Sequence, residues 1–220
     1  MIDIHCHILP NIDDGPISIT HSLSMAKIAE REGITTIIAT PHHRHPSFEE
    51  NNGESVKQAV DLLNDRLLEE EINVKILPAQ EVRIYGGMIE GIKKGETLPL
   101  VAGGSFVLIE FPSSQVPHYT ERLFYDMQCQ GYIPIIAHPE RNKAFIEEPR
   151  RLYELVVNGA LTQVTAASLI GHFGKNIKRF TEQLIEANQA HFIASDAHNE
   201  GERSFRLKKS LCCCRKAFWS

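Results

Sequence analysis

The sequence predicts one parallel α/β domain, and three features of its 220 residues support this. Short apolar runs alternate with longer amphipathic segments about seven times, which is typical of strands followed by helices. The runs are apolar on both faces, as strands covered by helices are. Six of the seven runs lead directly into a histidine, an acid or an arginine. Because strand ends meet at one mouth only in a closed barrel, these residues favour a barrel over an open sheet.

The predicted strands are recognised by their composition and length. Residues 1–4 are too few for a helix, and residues 34–39 are almost all β-branched or apolar. The later strands are comparable short runs, bounded by turn-forming or polar residues. In chain order the seven predicted strands are residues 1–4, 34–39, 74–77, 106–109, 133–137, 161–165 and 191–194.

Capping residues and glycines delimit the predicted helices. Ser18 or Thr20 caps the first helix, and Gly33 ends it. Pro149 suits the first turn of a later helix, and Gly174 is expected to divide the last one. In chain order the predicted helical segments are residues 18–32, 54–71, 86–95 (a short helix or a loop), 119–130, 149–158 and 168–188.

Composition argues against several classes of function. The net charge is −5 and no Lys/Arg-rich block is present, so a nucleic-acid partner is not expected. No run approaches the roughly 18 apolar residues of a membrane helix, and no secretory leader is visible, so membrane insertion is not expected. Five cysteines without a disulfide-like spacing predict a reducing compartment, the cytoplasm.

The first strand ends in the pattern His5-Cys6-His7. Alternate side chains of a strand share a face, so His5 and His7 point together while Cys6 points into the wall as a small buried hydrophobe. A carboxylate of the Asp13-Asp14 pair follows after one loop. Two imidazoles and a carboxylate suit Zn, Mn or Fe. The first fifteen residues therefore predict part of a metal site.

Further candidate ligands follow the later strands. The total of about nine exceeds the number that one tetrahedral ion takes, so two or three ions sharing carboxylate bridges are expected. Clustered metal ions serve phosphoester hydrolysis. Arg141 and Arg203 supply planar donors that match phosphate oxygens. The later candidates are His42, Glu81, Glu110, His138, Asp196 and His198.

Four motifs together resemble the polymerase-and-histidinol-phosphatase (PHP) superfamily. They are HxH at 5–7, TPHH at 40–43, HPER at 138–141 and SDAH at 195–198. The resemblance is greatest to its bacterial protein-tyrosine phosphatases, the CpsB/CapC group linked to capsule and exopolysaccharide. It implies one domain over residues 1–206, a distorted seven-stranded (β/α) barrel of the PHP type that is similar to a TIM barrel. It also implies three metal ions, usually Mn²⁺, with Fe or Zn as alternatives.

The resemblance also implies roles for individual residues. Arg141 and Arg203 match the phosphate-binding arginines of the family, and Glu81 matches a carboxylate that bridges two ions. The implied ligands are His5, His7, Glu81 and Asp196 for the first ion, Glu81, Glu110 and His138 for the second, and Asp14, His42 and His198 for the third.

The substrate implied by the resemblance is phosphotyrosine on a protein, with a bacterial tyrosine kinase that controls polysaccharide synthesis as the expected partner. Two alternatives are a small-molecule phosphomonoesterase of the histidinol-phosphatase type and a catalytically weakened metal-binding PHP module. An amidohydrolase-type barrel is disfavoured, because Glu81 stands where that class carries a bridging lysine. Phe48, on a polar loop predicted at residues 44–52, is a candidate wall for the phenyl ring, and so are Tyr85 and Phe111; packing under the loops is the alternative role.

Two further expectations concern cysteines and the end of the chain. Cys129 lies in an amphipathic helix and is expected to pack in the core. Residues 207–220, which include the run Cys212–Cys214, depart from the family pattern. They are predicted to be a truncated or altered tail, so that a closing helix on the barrel would be missing.

Overall fold

The strands of this protein pair in parallel and form two sheets. The structure is a computed structural model that describes residues 1–48, 51–101 and 103–218. Residues 49 and 50 of the predicted loop, and residues 219 and 220 of the predicted tail, lie outside the described residues. The strands are β1 Ile2–Cys6, β2 Thr36–Ala39, β3 His42–His43, β4 Lys75–Pro78, β5 Glu81–Arg83, β6 Phe106–Glu110, β7 Ile133–Ala137, β8 Leu161–Thr165 and β9 Phe192–Ala194.

Helices follow most of these strands, and their ends carry the expected capping groups. The Ser18 side chain accepts a hydrogen bond from the backbone N–H of His21 at the start of α1, and Gly33 ends α1 with a φ of 83°. No helix in the described ranges is both long enough and apolar enough to cross a bilayer. The helices are α1 Ile19–Glu32, α2 Gly53–Glu69, α3 Met88–Lys93, α4 Thr120–Cys129, α5 Lys143–Glu147, α6 Pro149–Val157, α7 Ala166–Leu169, α8 Lys175–Glu186 and α9 Leu207–Phe218.

The described residues contain nine strands where the sequence predicts seven. After the second and the third predicted strand the chain breaks briefly and adds a short strand in the other sheet. Strands β2 and β4 lie in a three-stranded sheet with β1, while β3 and β5 begin the six-stranded sheet. The first interruption contains Pro41, which has no N–H for a ladder bond. The second falls at Ala79-Gln80, where the Gln80 side chain bonds the Leu98 N–H at 2.7 Å. All seven predicted strands are thus present, and the structure adds two short ones, β3 and β5, that the sequence analysis did not predict.

The segment that follows β9 runs alongside β1. The backbone N–H of Asp196 donates to the His5 carbonyl at 2.8 Å, and the N–H of His7 donates to the Ala197 carbonyl at 2.8 Å. Cys6 and Ala197 form an isolated parallel bridge. These bonds tie the last strand of the larger sheet to the first strand of the smaller sheet, which places the ends of β1 and β9 side by side.

Alternation along the strands separates an outer core from an inner one. Val107 and Ile109 of β6 pack in a cluster with residues of the helices, whereas Leu108 packs with Ile135 and with Ile38 of the other sheet. The strands are thus covered on both faces, as the sequence predicts. This burial fixes the strands and leaves their carboxyl ends to carry polar side chains.

Two expectations about the cysteines and the end of the chain differ from the structure. Cys129 is exposed, because the buried face of α4 is formed by residues such as Leu123 and Met127, and Cys129 lies beyond them on another face. Residues 207–218 form helix α9, which contacts α7. Leu207 and Cys214 are buried seven residues apart on one helical face, so a helix does pack at this position. The boundary at residue 206 stays a prediction.

Candidate metal centre

The structure brings the nine predicted ligands together: His42 and Glu81 begin the short strands β3 and β5, and the other seven lie in or after the last residues of their strands. Seven of the nine are buried, Glu110 is partly exposed, and Asp14 is exposed. His138 and Asp196 follow β7 and β9 with φ values of 33° and 51°, in a region that residues other than glycine rarely adopt. Backbone strain of this kind persists mainly at functional sites.

His5 and His7 form the first group of donors. Their Nε2 atoms are 3.3 Å apart. Glu81 Oε2 lies 3.4 Å from the first of these nitrogens and 3.3 Å from the second. Asp196 Oδ1 lies 3.4 and 3.5 Å from the same two atoms. Ligand atoms that share one ion at about 2.0–2.2 Å are about 3.0–3.5 Å apart, so His5, His7 and Glu81 have the spacing of a single metal site, and Asp196 lies beside both imidazoles.

Glu81, the first residue of β5, is the centre of the second group. Its Oε2 lies 3.0 Å from His42 Nδ1, and its Oε1 lies 2.7 Å from His138 Nε2. Glu110 Oε2 is 4.0 Å from His42 Nδ1. The structure therefore groups His42 with the two glutamates, whereas the resemblance groups His138 with them. Because Glu81 Oε2 faces both the first and the second group, it has the position of a bridging carboxylate.

The third group lies around Asp14. Its Oδ1 is 3.2 Å from His198 Nε2 and 3.5 Å from His42 Nε2. The rings of His7 and His198 stack with their centroids 3.8 Å apart. One donor atom from each of these four residues lies within 4.8 Å of the others. Since Asp14 is exposed, this end of the cluster opens to solvent.

Buried polar atoms without partners indicate that the cluster fits divalent metal ions. His42 Nδ1, Glu81 Oε2 and His198 Nε2 are buried and have no hydrogen-bond partner among the described residues. The first two atoms are 3.0 Å apart but lack hydrogen-bond geometry. Unpaired buried donors and acceptors are costly. Imidazole nitrogen and carboxylate oxygen are both ligands of Zn, Mn and Fe, so an ion would satisfy these atoms at once.

Two residues that the sequence analysis did not assign orient the imidazoles. The Nδ1–H of His7 donates to Asp13 Oδ2, and the Nδ1–H of His5 donates to Gln163 Oε1, both at 2.7 Å. Each bond leaves Nε2 free to face the cluster. Asp13 also accepts from the backbone N–H of His42 at 3.0 Å. The sequence analysis considered Asp13 as one of the Asp13-Asp14 pair but assigned only Asp14 as a ligand. No local sequence pattern indicated Gln163.

Burial and neighbouring charges set the protonation of the cluster. Burial and the positive charge of Arg141 lower the pKa of His138 to about 4. Burial and the charge of His7 lower the pKa of His198 to about 4. Burial opposes the ionisation of Glu81, but the positive charges of the surrounding histidines hold its pKa well below the usual value. The low pKa values of His138 and His198 favour the neutral imidazoles that metal binding requires. Burial acts in the same direction on His5 and His7, but neighbouring carboxylates raise the pKa of both, so these two rings release a proton when an ion binds.

Arg141 and Arg203 both form ion pairs with the same carboxylate oxygen. Asp196 Oδ2 is 2.8 Å from Arg141 Nη1 and 3.3 Å from Arg203 Nη2. Arg203 Nη1 is also 3.2 Å from Asp14 Oδ2. The Arg141 guanidinium stacks over the ring of Phe173, 5.4 Å from its centroid. A third arginine, Arg83, lies 2.9 Å from a carboxylate oxygen of the cluster and was missed by the sequence analysis.

The three aromatic candidates for a substrate wall have different surroundings. Phe48 is partly exposed, and its ring stacks on the His42 ring with centroids 5.7 Å apart and an interplanar angle of 3°. Tyr85 lies beneath the Arg44 guanidinium, which is 4.3 Å from the ring centroid. Phe111 is 4% exposed and belongs to the outer core. The structure thus places Phe48 beside a candidate metal ligand, His42, and packs most of Phe111 in the outer core.

The sequence is similar to known proteins over its whole length. It is 50% identical to the tyrosine-protein phosphatase YwqE of Bacillus subtilis (strain 168) over 220 residues, which cover 100% of this chain and 86% of YwqE. It is 46% identical to the CapC protein of Staphylococcus aureus over 209 residues, which cover 95% of this chain and 81% of CapC.

A solved structure supports the same relationship. It comes from crystal structures of YwqE from Bacillus subtilis and CpsB from Streptococcus pneumoniae, which are described as metal-dependent tyrosine phosphatases. The match has a TM-score of 0.96 and 50% identity and covers 100% of this chain and 88% of that chain. The family model described as "Capsular polysaccharide synthesis, CpsB/CapC" matches residues 1–219. The chain therefore belongs to the CpsB/CapC family.

Proposed function

We propose that this chain is a metal-dependent phosphatase that hydrolyses phosphotyrosine in proteins. One observation carries the proposal: buried imidazole nitrogens and carboxylate oxygens without partners converge around Glu81, beside Arg141 and Arg203. The relative YwqE is named a tyrosine-protein phosphatase, and it shares half of its aligned residues with this chain. Phosphate-ester hydrolysis uses both of the features that this site combines, clustered cation ligands and fixed arginines.

The residues of the site have distinct parts in this chemistry. Divalent ions bound in the cluster supply Lewis-acid catalysis of phosphate-ester hydrolysis. Arg141 and Arg203 offer N–H donors to phosphoryl oxygens, an interaction that strengthens as charge shifts in the transition state. Asp13 and Gln163 keep two imidazoles oriented toward the cluster.

A cysteine nucleophile does not fit this site. Cys6 lies between the candidate ligands His5 and His7 in the sequence. Its Sγ–H donates to the Ala197 carbonyl at 3.5 Å. Burial, together with the negative charges of Asp3 and Asp196, raises the pKa of the Cys6 thiol well above its usual value. A thiol that stays protonated is a poor nucleophile, so Cys6 is part of the wall of the fold.

Finer features belong to the same proposal. We expect two or three ions, because the donors form three groups, with Mn²⁺ preferred and Fe or Zn as alternatives. We expect the two sheets to close into a distorted barrel, which the bonds between β1 and the segment after β9 support.

A bacterial tyrosine kinase is the expected substrate, and the cytoplasm is the expected location. The family's description as capsular polysaccharide synthesis proteins supports the link to a kinase of that process.

The test is a comparison of substrates on the metal-loaded protein. Matched phosphotyrosine and phosphoserine peptides and histidinol phosphate are assayed for kcat/KM at saturating Mn²⁺. The proposal expects the highest value for the phosphotyrosine peptide. A higher value for histidinol phosphate would favour the small-molecule phosphomonoesterase, and no turnover of any of the three would favour a metal-binding module without catalysis.

A further inference from the structure

A small cavity adjoins the metal centre between the loops that follow β6 and β7. Its volume is about 150 Å³. Its polar end is formed by Glu110, His138 and Arg141, which belong to the candidate site. Its other walls include Phe111 and Phe145. The cavity therefore has the proposed phosphate-binding groups and the edges of two buried aromatic rings among its lining residues.

The aromatic walls of this cavity are rigid. The Phe111 ring meets the Phe145 ring edge to face, with centroids 5.6 Å apart and an interplanar angle of 77°. Phe145 is 0% exposed. The Asn142 side-chain amide donates to the Pro112 carbonyl at 2.7 Å, and this bond ties the loop after β6 to the loop after β7. The cavity thus has a defined shape before any ligand enters.

On the basis of the proposed phosphatase activity, we propose that this cavity is the subsite for the phenyl ring of phosphotyrosine, with Phe111 as a specificity-determining residue. A volume of about 150 Å³ is that of an apolar cavity that binds benzene, and here the polar lining faces the phosphate side while Phe111, Ala137 and Phe145 supply apolar contact. A phosphoryl group held by Arg141 leaves the attached ring next to the cavity that Arg141 lines. A phosphoserine side chain has no ring to fill this space, so the subsite selects for an aryl phosphate.

A larger cavity on the other side of the centre suits the ring less well. It has a volume of about 430 Å³, nearly three times the other, and lies between Asp14, Ile17 and Glu200. Two carboxylates and no arginine or lysine line it, and the Arg203 guanidinium that pairs with Asp14 is not among its lining residues. The cavity beside Arg141 combines a cation with aromatic walls.

The test uses two phosphonates that differ only in the ring. Benzylphosphonate carries a CH₂ in place of the bridging oxygen of phosphotyrosine, and ethylphosphonate carries the same CH₂ without the ring. Both are measured as inhibitors of hydrolysis of a phosphotyrosine peptide by the Mn²⁺-loaded protein. Ser113, which is exposed and lines the cavity, is changed to Leu to fill it; the neighbouring Ser114, which does not line it, is changed to Leu as the matched control.

We expect Ser113→Leu to raise the inhibition constant of benzylphosphonate about tenfold or more, as loss of an apolar pocket contact does. The inhibition constant of ethylphosphonate should stay within about twofold, and Ser114→Leu should change neither. Phe111→Leu keeps an apolar side chain but removes the ring, and it should also raise the inhibition constant of benzylphosphonate.

Three outcomes would overturn the inference. An equal change for both phosphonates, an unchanged constant for benzylphosphonate in Ser113→Leu, or the same loss in Ser114→Leu would each exclude this cavity as the ring subsite. Hydrolysis of the phosphotyrosine peptide by the unmodified protein is measured first. Its absence would reject the proposed function and the inference with it, whereas activity with an unaltered benzylphosphonate constant rejects the inference alone.

Discussion

Replacing Arg141 by Ala should weaken phosphate hydrolysis without emptying the metal site. Arg141 is three residues past His138, and its Nη1 lies 2.8 Å from Asp196 Oδ2. A guanidinium has five N–H donors, so this ion pair leaves others for a phosphoryl group. Arg203 lies 3.3 Å from the same carboxylate oxygen and keeps it paired in the variant.

The expected loss in kcat/KM can be calculated from the free energy of the one charged hydrogen bond that the variant removes. Such a bond contributes about 1.5–3 kcal/mol. At about 1.36 kcal/mol for each factor of ten, the loss in kcat/KM is about ten- to 150-fold. The Arg141 side chain is 22% exposed, so solvent screens it only in part. Arg203 is 32% exposed and makes longer contacts, so Arg203→Ala should lower kcat/KM less, by at most about fivefold.

The assay measures kcat/KM on a phosphotyrosine peptide together with the metal content of each purified variant. Arg141→Lys is the matched control, because it keeps the charge but not the planar fork, and it should recover only part of the activity. Unchanged kinetics in Arg141→Ala would refute the assigned role. Loss of bound metal from Arg141→Ala would also refute it, because Arg141 would then support the ligands.

Three other changes test separate parts of the structure. Cys6→Ser combined with Cys129→Ser should retain most of the turnover, because burial keeps the pKa of the Cys6 thiol well above its usual value and no thiolate is available for attack. Gln163→Leu removes the acceptor that orients a metal-site imidazole and should lower metal affinity about 10–100-fold in a competition titration with a chelator. Gly15→Ala places a Cβ 2.5 Å from the His7 carbonyl oxygen and should destabilise the fold by about 1–3 kcal/mol in urea unfolding.

Controls make each of these outcomes decisive. A collapse of turnover in the double cysteine variant, with fold and metal content intact, would contradict the metal mechanism. Gln163→Glu keeps an acceptor and should bind metal better than Gln163→Leu; equal affinities would show that the hydrogen bond does not orient the ring. Gly86→Ala has no atom within 4 Å of the new Cβ, so equal destabilisation of Gly86→Ala and Gly15→Ala would refute the steric argument.

The convergence of the candidate ligands was predictable because most of them stand at or just after the end of an apolar run, and Asp14 lies in the loop that follows the first run. His5 and His7 share a face through the two-residue period of extended chain, and the structure places their Nε2 atoms 3.3 Å apart. Parallel strands bring their carboxyl ends to one side, so Glu81 and Asp196 meet these histidines although they are far apart in sequence. Local pattern and topology were sufficient here.

Contacts between distant side chains were not predictable in the same way. Gln163 bonds His5 across 158 residues, and nothing in its neighbourhood marks it as part of a site. The interruption at Pro41 also depends on tertiary pairing, because it shifts the chain from one sheet to the other. The seven-residue spacing of Leu207 and Cys214 is helical, but a single apolar pair beside a run of three cysteines is too weak a pattern to predict α9.

The most direct test of the account is to remove the metal from the purified protein and return it in measured amounts. Protein stripped with a chelator should hold no ion and should not hydrolyse a phosphotyrosine peptide, and activity should return with two or three Mn²⁺ ions per chain. Glu81→Gln, which keeps the shape of the side chain but not its charge, should bind fewer ions and recover little activity, because Glu81 Oε2 faces donors of two groups. Full turnover by metal-free protein would contradict the account.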